Sequence, residues 1–339
     1  MFSNDQLQAF KAKIDSAKTI ALFGHNNIDW DAVWSVLGLA IILEKLGKKV
    51  SCFTPITPAK YYNFAQWIEK IQTTFDYWQY DLIWFLDFTW YGRIWWFTLW
   101  HEEYFDKANM FVVDHHIDDI GFLTEHALKL KDVDASSNCE LLLEICHQLW
   151  PELIDTTIAT HWYMGLLTDT GSYQYQKDST RTLWNAMTLA KYGADKDNLV
   201  KNLFNSSPKW LIDFMKLVTP RITFTWHLCS IWYTLDEAAQ CWLDNDQAEA
   251  LMIFIRWIYW VAVYVEFKVE TDRIRISLRA WYTDTGRLDM QKIAKHFTWG
   301  GHIYSAWCAV PRNQELAIEE QIAILIGQVN SEAEKQISI

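Results

Sequence analysis

Four short stretches of the sequence combine acids and histidines in the way that metal sites do. They are His25-x-x-x-Asp29-x-Asp31, Asp87, Asp114-His115-His116 and Asp169-Thr170-Gly171. If they met in one place, five carboxylates and three imidazoles would face each other. Such a density of like charge is unfavourable unless bound cations neutralise it. Carboxylate mixed with imidazole suits Mn²⁺ or Mg²⁺ better than a thiolate site would.

Two such metal ions, bridged by one carboxylate, form a clamp for phosphoryl transfer, because they deprotonate a water and stabilise charge on the phosphate oxygens. Each stretch alone is ambiguous, since a single Asp after a strand is ordinarily a helix cap or a turn residue. It is the combination of the four stretches that favours a two-metal site.

The elements that must position these residues are short apolar runs. Predicted strands precede the first three stretches: Thr19 to Phe23, Leu82 to Leu86 and Phe111 to Val113. A helix over Ala32 to Leu46, with Gly47 as its stop signal, and a strand over Lys49 to Phe53 complete a βαβ unit. The carboxyl ends of adjacent parallel strands face one crevice, so we expect the acidic stretches to meet there.

The remaining chain predicts a second, smaller domain. Further helices are expected over Ser3 to Ala17, Tyr61 to Thr73, Asn138 to Trp150, Asp155 to Leu167, Ser179 to Lys191, Lys196 to Phe204 and Asp289 to Phe297, and later strands over Arg221 to Thr234, Tyr259 to Val269 and Arg273 to Arg279. The predicted fold class is α/β, with a parallel sheet covered by helices on both faces in residues 1–190. A helical connector (191–220) and a smaller α/β domain (221–339) follow, and we expect the active site in the cleft between the domains.

Composition limits the partners. The chain has 339 residues and a net charge of −12, which argues against a long basic groove for duplex nucleic acid. Six cysteines without a C-x-x-C pair favour a reducing compartment. The first residues lack a signal-peptide pattern, and the longest apolar stretch, Leu251 to Val265, is short and contains Arg256. We therefore expect a cytoplasmic protein that does not bind membranes.

The motifs resemble those of the DHH phosphoesterases with an appended DHHA1 domain, in particular the oligoribonuclease (nanoRNase) and 3′-phosphoadenosine-5′-phosphate phosphatase type. The resemblance covers nearly the whole chain. It rests on Gly24 to Ser35, Trp84 to Arg93, Val112 to His116 and Leu166 to Tyr173 in the first domain, and on Ile276 to Arg279 and Gly300 to His302 in the second.

The resemblance implies a role for each of these residues and two divalent metal ions, Mn²⁺ in preference to Mg²⁺. One metal would be held by His25, Asp29 and Asp87. The other would be held by Asp31, Asp87, His115 and Asp169, with Asp87 as the bridge. Asp114 would orient a ligating histidine and His116 would face the scissile phosphate. The substrate would be bound by Arg279, Gly300, Gly301 and His302, with Ser136, Ser137 and Asn138 nearby.

Tryptophan stands in several motif positions where the family has glycine. The first family motif reads Pro-Asp-Gly-Asp and then Gly-Ser, whereas this chain has Trp30 between Asp29 and Asp31, and then Trp34. Trp299 and Trp307 stand in or after the glycine-rich loop. Glycine serves where backbones pack closely or φ is positive, so tryptophan there hinders the approach of a helix or a substrate. All the implied metal ligands are retained.

The favoured activity is hydrolysis of short RNA or DNA oligonucleotides, or of a nucleoside 3′,5′-bisphosphate. A cyclic dinucleotide phosphodiesterase would share these residues. A family II inorganic pyrophosphatase shares the metal site but has a second domain rich in lysine and arginine. A non-catalytic nucleotide-binding protein, disabled by Trp30, Trp34 and Trp299, is the alternative from another class. The sequence leaves open the preferred substrate, the polarity of cleavage and the oligomeric state, a homodimer included.

Overall fold

The apolar runs that precede the acidic stretches form central strands that are buried on both faces, as parallel sheets require. The computed structural model describes the chain except residues 1, 27, 59, 78–79, 117–126, 175–177, 205–208, 226, 244–247, 249–250, 256–257, 259–260, 281, 284–285, 298–300 and 338–339. The chain forms two compact units, Met1–Asn205 and Ser206–Ile339.

The first unit contains a six-stranded parallel sheet, which confirms the predicted α/β class. Its strands are β1 (Thr19–Phe23), β2 (Lys49–Phe53), β3 (Ile71–Gln72), β4 (Leu82–Leu86), β5 (Met110–Asp114) and β6 (Leu128–Lys131). Its helices are α1 (Asn4–Ser16), α2 (Trp30–Lys45), α3 (Trp95–Thr98), α4 (Glu102–Lys107), α5 (Asn138–Leu149), α6 (Thr156–Asp169), α7 (Ser179–Lys191) and α8 (Lys196–Phe204). The strand order β3-β2-β1-β4-β5-β6 reverses direction between β1 and β4, which is where such sheets bind ligands.

Helices cover both faces of this sheet. On one face, Phe10 of α1 contacts Trp84 and Phe111, and α2 is buried along nearly its whole length. That burial explains why α2 is apolar on all sides. On the other face, Phe97 of α3 and Phe105 of α4 pack with aromatic residues of β1 and β4.

The second unit is also α/β. Its strands are β7 (Thr223–Phe224), β8 (Leu228–Thr234), β9 (Val263–Val269), β10 (Arg273–Ala280), β11 (Tyr282–Thr283), β12 (Gly286–Arg287), β13 (Gly301–His302) and β14 (Ser305–Pro311). Its helices are α9 (Leu211–Val218), α10 (Leu235–Gln240), α11 (Leu251–Ile255), α12 (Met290–His296) and α13 (Ile318–Ile337). The main sheet has the order β13-β14-β10-β9-β8-β7, in which β8 and β9 are parallel and the other pairs antiparallel.

The helix predicted over Tyr61 to Thr73 is wrong. Two short 3₁₀ helices, Lys60–Phe64 and Ile68–Lys70, occupy the segment, and its end pairs with β2 as strand β3. Trp67, between the two, has a φ of 72°, and one residue in the left-handed region is enough to end a helix. Among the described residues, no helix is both long and apolar enough to cross a bilayer.

Candidate metal centre

The sheet brings the acidic stretches to one edge. Asp87 follows β4 directly, Asp114 ends β5, and His25 lies two residues beyond β1. Because β4 pairs with both β1 and β5, these three residues come from adjacent strands. The backbone N–H of Asp87 donates to the carbonyl of Val113 at 2.9 Å, which fixes the turn after β4 against β5.

A first group of possible ligands contains His25, Asp29 and Asp87. His25 Nε2 lies 3.6 Å from Asp29 Oδ2 and 3.4 Å from Asp87 Oδ2. The other ring nitrogen, Nδ1, is 2.5 Å from the carbonyl oxygen of Asn26, so it carries the proton and leaves Nε2 to face the acids. Asp29 also caps helix α2, since its Oδ1 accepts a hydrogen bond from Ala32 N at 3.0 Å.

A second group contains Asp31, His115 and Asp169. His115 Nε2 lies 3.8 Å from Asp31 Oδ2 and 3.4 Å from Asp169 Oδ2. It is also 3.2 Å from Asp87 Oδ1. The two oxygens of Asp87 therefore face one group each, which is the arrangement of a bridging carboxylate. His115 Nδ1 is oriented by the carbonyl of Ala135, at 3.3 Å.

Asp114 holds His116. Its Oδ1 lies 2.7 Å from His116 Nδ1 and also accepts the backbone N–H of His116 at 3.2 Å. His116 Nδ1 is 3.5 Å from Asp87 Oδ1, so Asp87, His115 and His116 also form a third group that fits a cation. The histidine that Asp114 orients is thus the one expected to face the phosphate.

Asp31 is fixed by the start of helix α5. Its Oδ2 accepts the backbone N–H of Asn138 at 2.5 Å and its Oδ1 that of Cys139 at 3.0 Å. The N-terminus of a helix stabilises a carboxylate through these free N–H groups and the helix dipole. Ser136 and Ser137, which precede α5, are buried along with Asn138. The described contacts of this segment therefore serve to position Asp31.

Ser136 and Ser137 hold the start of α5 in place. Ser137 caps the helix by accepting Glu140 N at 3.0 Å, and Glu140 Oε2 accepts Ser136 N at 2.7 Å. Asn185 Nδ2 donates to Glu140 Oε1 at 3.1 Å. Burial raises the pKa of Glu140, and these hydrogen bonds act in the opposite direction.

The charges of the site are strongly coupled. Burial and the positive charge of Arg93 favour neutral His25, but Asp29 and Asp87 outweigh them and raise the pKa of His25 to about 9. Burial together with the negative charges of Asp87 and Asp29 raises the pKa of Asp31 well above its usual range. Acids that disfavour each other in this way gain stability from a cation between them.

Buried polar atoms support the same reading. Among the described residues, His25 Nε2 and Asp87 Oδ1 have no hydrogen-bond partner although both are buried. Such atoms are rare unless an ion or a ligand completes them. Oxygen and imidazole donors in this arrangement fit divalent cations such as Mn²⁺ and Mg²⁺.

Arg93 belongs to the neighbourhood of the site, although the sequence analysis assigned it no role. Its carbonyl accepts Asn26 N at 2.6 Å, and its positive charge acts to lower the pKa of both His25 and His116. Its guanidinium forms no ion pair with the residues that the structure describes. The available signal was its place in the second motif, six residues after Asp87.

Two candidate substrate residues of the second unit, Arg279 and His302, fall in one row of its sheet. Ser305 of β14 pairs with Arg279 of β10 on one side and with His302 of β13 on the other. Gly301 pairs with Ala306 in the next row. Arg279 is half-buried. Gly300 and Trp299 lie outside the described residues.

Trp30 and Trp34 belong to an aromatic cluster. Their rings are parallel at 6.3 Å, and both contact Phe64. Trp30 also contacts Tyr62, and Trp34 contacts His161 of α6. Both side chains thus pack against the 3₁₀ segment beside α2, although Trp30 directly adjoins two of the candidate ligands.

The family comparison agrees with this geometry. Residues 19–166, which carry all the candidate ligands except Asp169, match the N-terminal domain of the DHH family. This match covers a little under half of the chain and gives its first unit a likeness to DHH proteins. The bifunctional oligoribonuclease and PAP phosphatase NrnA of Thermus thermophilus is 24% identical over 194 residues, and the match spans 57% of this chain and 56% of that relative. The alignment therefore spans little more than half the length of either protein.

Solved structures extend the fold comparison. The crystal structure of an exopolyphosphatase-related protein from Bacteroides fragilis has a TM-score of 0.83 at 20% identity, covering 98% of both chains. This likeness shows that the two chains share a fold over nearly their whole length. A putative family II inorganic pyrophosphatase from Methanococcus jannaschii is much less similar, with a TM-score of 0.45 at 12% identity over 85% of this chain.

Proposed function

We propose that the protein is a divalent-metal-dependent phosphohydrolase that cleaves short oligonucleotides, nucleoside 3′,5′-bisphosphates or both. The observation that carries the proposal is the carboxylate of Asp87, which presents one oxygen to the group around His25 and the other to the group around His115. A shared carboxylate between two adjacent ligand groups is the arrangement of a two-metal phosphoryl-transfer site.

The ligand assignment follows these groups. His25, Asp29 and Asp87 would hold one cation, and Asp31, Asp87, His115 and Asp169 the other. Bound there, the cations would lower the pKa of a water and neutralise charge on the phosphate oxygens. We favour Mn²⁺ over Mg²⁺ because imidazole is among the donors.

Protein side chains supply the remaining functions. His116, held by Asp114, is suited to exchange a proton with the phosphate or its leaving group. The guanidinium of Arg93, which has no ion pair among the described residues, is suited to a phosphate oxygen, because a guanidinium binds phosphate through two parallel hydrogen bonds. Arg279 and His302, with Gly300 and Gly301, are proposed to bind a further phosphate or the terminal nucleotide.

Charge favours a small substrate. With a net charge of −12, the chain repels a long polyanion, whereas a dinucleotide or a bisphosphate is neutralised locally by the cations and by Arg93. The Thermus thermophilus relative is named as a bifunctional enzyme, both an oligoribonuclease and a PAP phosphatase. That pairing supports the same two substrate classes here.

The test is a substrate panel with metal-free protein and added Mn²⁺. The panel contains 5′-phosphorylated dinucleotides, longer oligoribonucleotides, a nucleoside 3′,5′-bisphosphate, a cyclic dinucleotide and pyrophosphate. We expect hydrolysis of the dinucleotides or the bisphosphate that Asp87→Asn abolishes and the exposed-surface control Asp197→Asn leaves unchanged. Binding of Mn²⁺ without hydrolysis of any member would favour a non-catalytic nucleotide-binding protein instead.

A second test concerns the other unit. Arg279→Ala and His302→Ala should raise KM while the metal content stays that of the unaltered protein. A loss of metal in either variant would show that these residues have been assigned the wrong role.

A further inference from the structure

Tryptophan adopts backbone conformations in this chain that ordinarily require glycine. Among the described residues that are not glycine, six have a positive φ. Three of the six are Trp67, Trp100 and Trp242, with φ of 72°, 67° and 59°. For a bulky side chain this region is a genuine outlier, because the Cβ atom crowds the backbone.

The end of helix α10 shows the misfit most clearly. The N–H of Trp242 donates to the carbonyl of Ala239 at 2.9 Å, and the N–H of Leu243 donates to that of Ala238 at 3.0 Å. These two bonds define a Schellman motif, in which the residue at the position of Trp242 must be left-handed and is usually glycine. Nothing in the hydrogen bonding distinguishes this helix end from an ordinary one.

In the part of the chain that the structure describes, three other helices end in the same motif, and each has glycine at that position. The glycines are Gly47 after α2, Gly171 after α6 and Gly193 after α7, with φ of 77°, 55° and 89°. Their N–H groups bond the carbonyls of Glu44, Thr168 and Ala190, and the following N–H groups bond those of Leu43, Leu167 and Leu189. Trp242 therefore stands in a position that this fold fills with glycine elsewhere.

Burial does not compensate for the strain at Trp100 and Trp242. The side chains of Trp100 and Trp242 are 85% and 84% exposed, so neither indole contributes to a core. Inside the protein, the indole nitrogens of Trp34, Trp84 and Trp162 are buried without a hydrogen-bond partner among the described residues. A buried indole N–H usually finds a partner. Tryptophan thus lowers the stability of the fold in two ways: through backbone strain at exposed positions and through unbonded indole N–H groups at buried ones.

Composition points in the same direction. The chain has 12 glycines and 21 tryptophans. Average usage of about 7% would give roughly 24 glycines in a chain of this length. If some of these tryptophans were glycine in the functional protein, both the low glycine count and the high tryptophan count would move toward average values.

The metal loop adds an independent observation. Its ligands His25, Asp29 and Asp31 are intact, while Trp30 and Trp34 replace the two glycines of the motif that the loop resembles. Gradual loss of function would be expected to alter ligands as well as glycines. Both glycines of the motif are tryptophan here while the three ligands beside them are retained, which suggests one common cause for the two tryptophans.

We propose that the functional chain carries glycine at Trp67, Trp100 and Trp242, and also at Trp30 and Trp34, because one codon of the gene is read as glycine in the cell that makes the protein. Such a codon, read instead as tryptophan, converts a set of glycines together and leaves every other residue unchanged. The inference does not depend on the proposed hydrolytic activity, since it rests on backbone conformation at Trp67, Trp100 and Trp242 and on the motif resemblance at Trp30 and Trp34.

The direct test is peptide mass spectrometry of the protein purified from its source cells. We expect the peptides that span positions 30, 67, 100 and 242 to have the masses of their glycine forms. Tryptophan at 67, 100 and 242 in that material would overturn the proposal, whatever the activity of the protein.

A second test uses recombinant chains with tryptophan as in the sequence above. Trp100→Gly and Trp242→Gly should each raise Tm by roughly 2–4 °C, because a left-handed residue is relieved of strain. The matched control is Trp184→Gly, since Trp184 is 64% exposed but lies inside helix α7, where glycine should lower Tm. A fall in Tm for Trp242→Gly like that of the control would contradict the proposal. If the tryptophan chain does not fold, the peptide masses decide the question.

Discussion

The backbone N–H of Asn138 donates a hydrogen bond of 2.5 Å to Oδ2 of Asp31. This bond ties a candidate metal ligand at the start of α2 to the first turn of α5. It leaves the carboxylate of Asp31 facing His115 Nε2, 3.8 Å away. The position of one ligand therefore depends on a helix end that contains no ligand itself.

Glu140 should control this arrangement, because it accepts the N–H of Ser136 and so fixes the turn before α5. We expect Glu140→Ala to weaken Mn²⁺ binding about 10-fold, as loss of a ligand's supporting partner does. Calorimetric titration of metal-free protein with Mn²⁺ measures this. Glu140→Gln retains an acceptor oxygen and should restore most of the affinity. Equal affinity for the Ala variant would mean that Asp31 is positioned by other contacts.

Asp87 should be required for both cations. Its φ is 71°, a conformation that asparagine also tolerates, so Asp87→Asn removes the charge without distorting the backbone. We expect this variant to lose both bound Mn²⁺ ions, whereas Asp29→Asn should lose one. Metal analysis after gel filtration gives the stoichiometry. Full occupancy in Asp87→Asn would rule out its role as a bridge.

Asp114 should affect turnover more than metal binding, because its Oδ1 bonds His116 at 2.7 Å. Asp114→Ala should lower kcat by about 10- to 100-fold and leave the metal content near that of the unaltered protein. Steady-state kinetics with Mn²⁺ and metal analysis on one preparation separate the two effects. Loss of metal in parallel with kcat would assign Asp114 to the ligand set.

Arg93 should bind substrate phosphate. A charge-assisted hydrogen bond contributes about 1.5–3 kcal/mol, so Arg93→Ala should raise KM about 10-fold or more. Arg93→Lys keeps the positive charge but cannot form two parallel hydrogen bonds. Its KM should therefore lie between those of the unaltered protein and of Arg93→Ala. Initial rates over a range of dinucleotide concentrations measure KM. An unchanged KM for Arg93→Ala would remove this arginine from the site.

Trp30→Gly should raise activity, because Trp30 lies between two candidate ligands and packs on Trp34 and Tyr62. Glycine at this position removes the indole from the start of helix α2 and leaves room for the substrate beside Asp29 and Asp31. The comparison is kcat/KM of the variant and of the unaltered chain at saturating Mn²⁺, with Trp184→Gly as the surface control. No gain would show that the tryptophan does not obstruct the loop.

Sequence patterns predicted the strands of the first unit closely. Thr19–Phe23, Lys49–Phe53 and Leu82–Leu86 agree with the structure at both ends, because each is a short run bounded by polar or turn residues. The meeting of the candidate ligands followed from the rule that parallel strands share one carboxyl edge.

Sequence patterns did not predict three other features of the structure. The long helix α13 was not predicted, since its buried residues include Gln321 and Ala333 and form a weak apolar stripe. The proximity of Arg93 to His25 arises from a single-turn 3₁₀ helix after β4, Tyr91–Ile94, which is too short to give a periodic signal. The left-handed φ of Trp67, which ended the helix expected there, opposes the ordinary preference of that residue.

The strand order of the first sheet determines how far apart three of the candidate ligands lie. His25, Asp87 and His115 follow β1, β4 and β5, which are neighbours in the sheet. Neighbouring strands lie about 4.8 Å apart, close to the separation of roughly 3.5–4 Å between the ions of two-metal sites. The hydrogen-bond repeat of the sheet therefore spaces these three candidate ligands, whereas Asp29, Asp31 and Asp169 are positioned by helices α2 and α6.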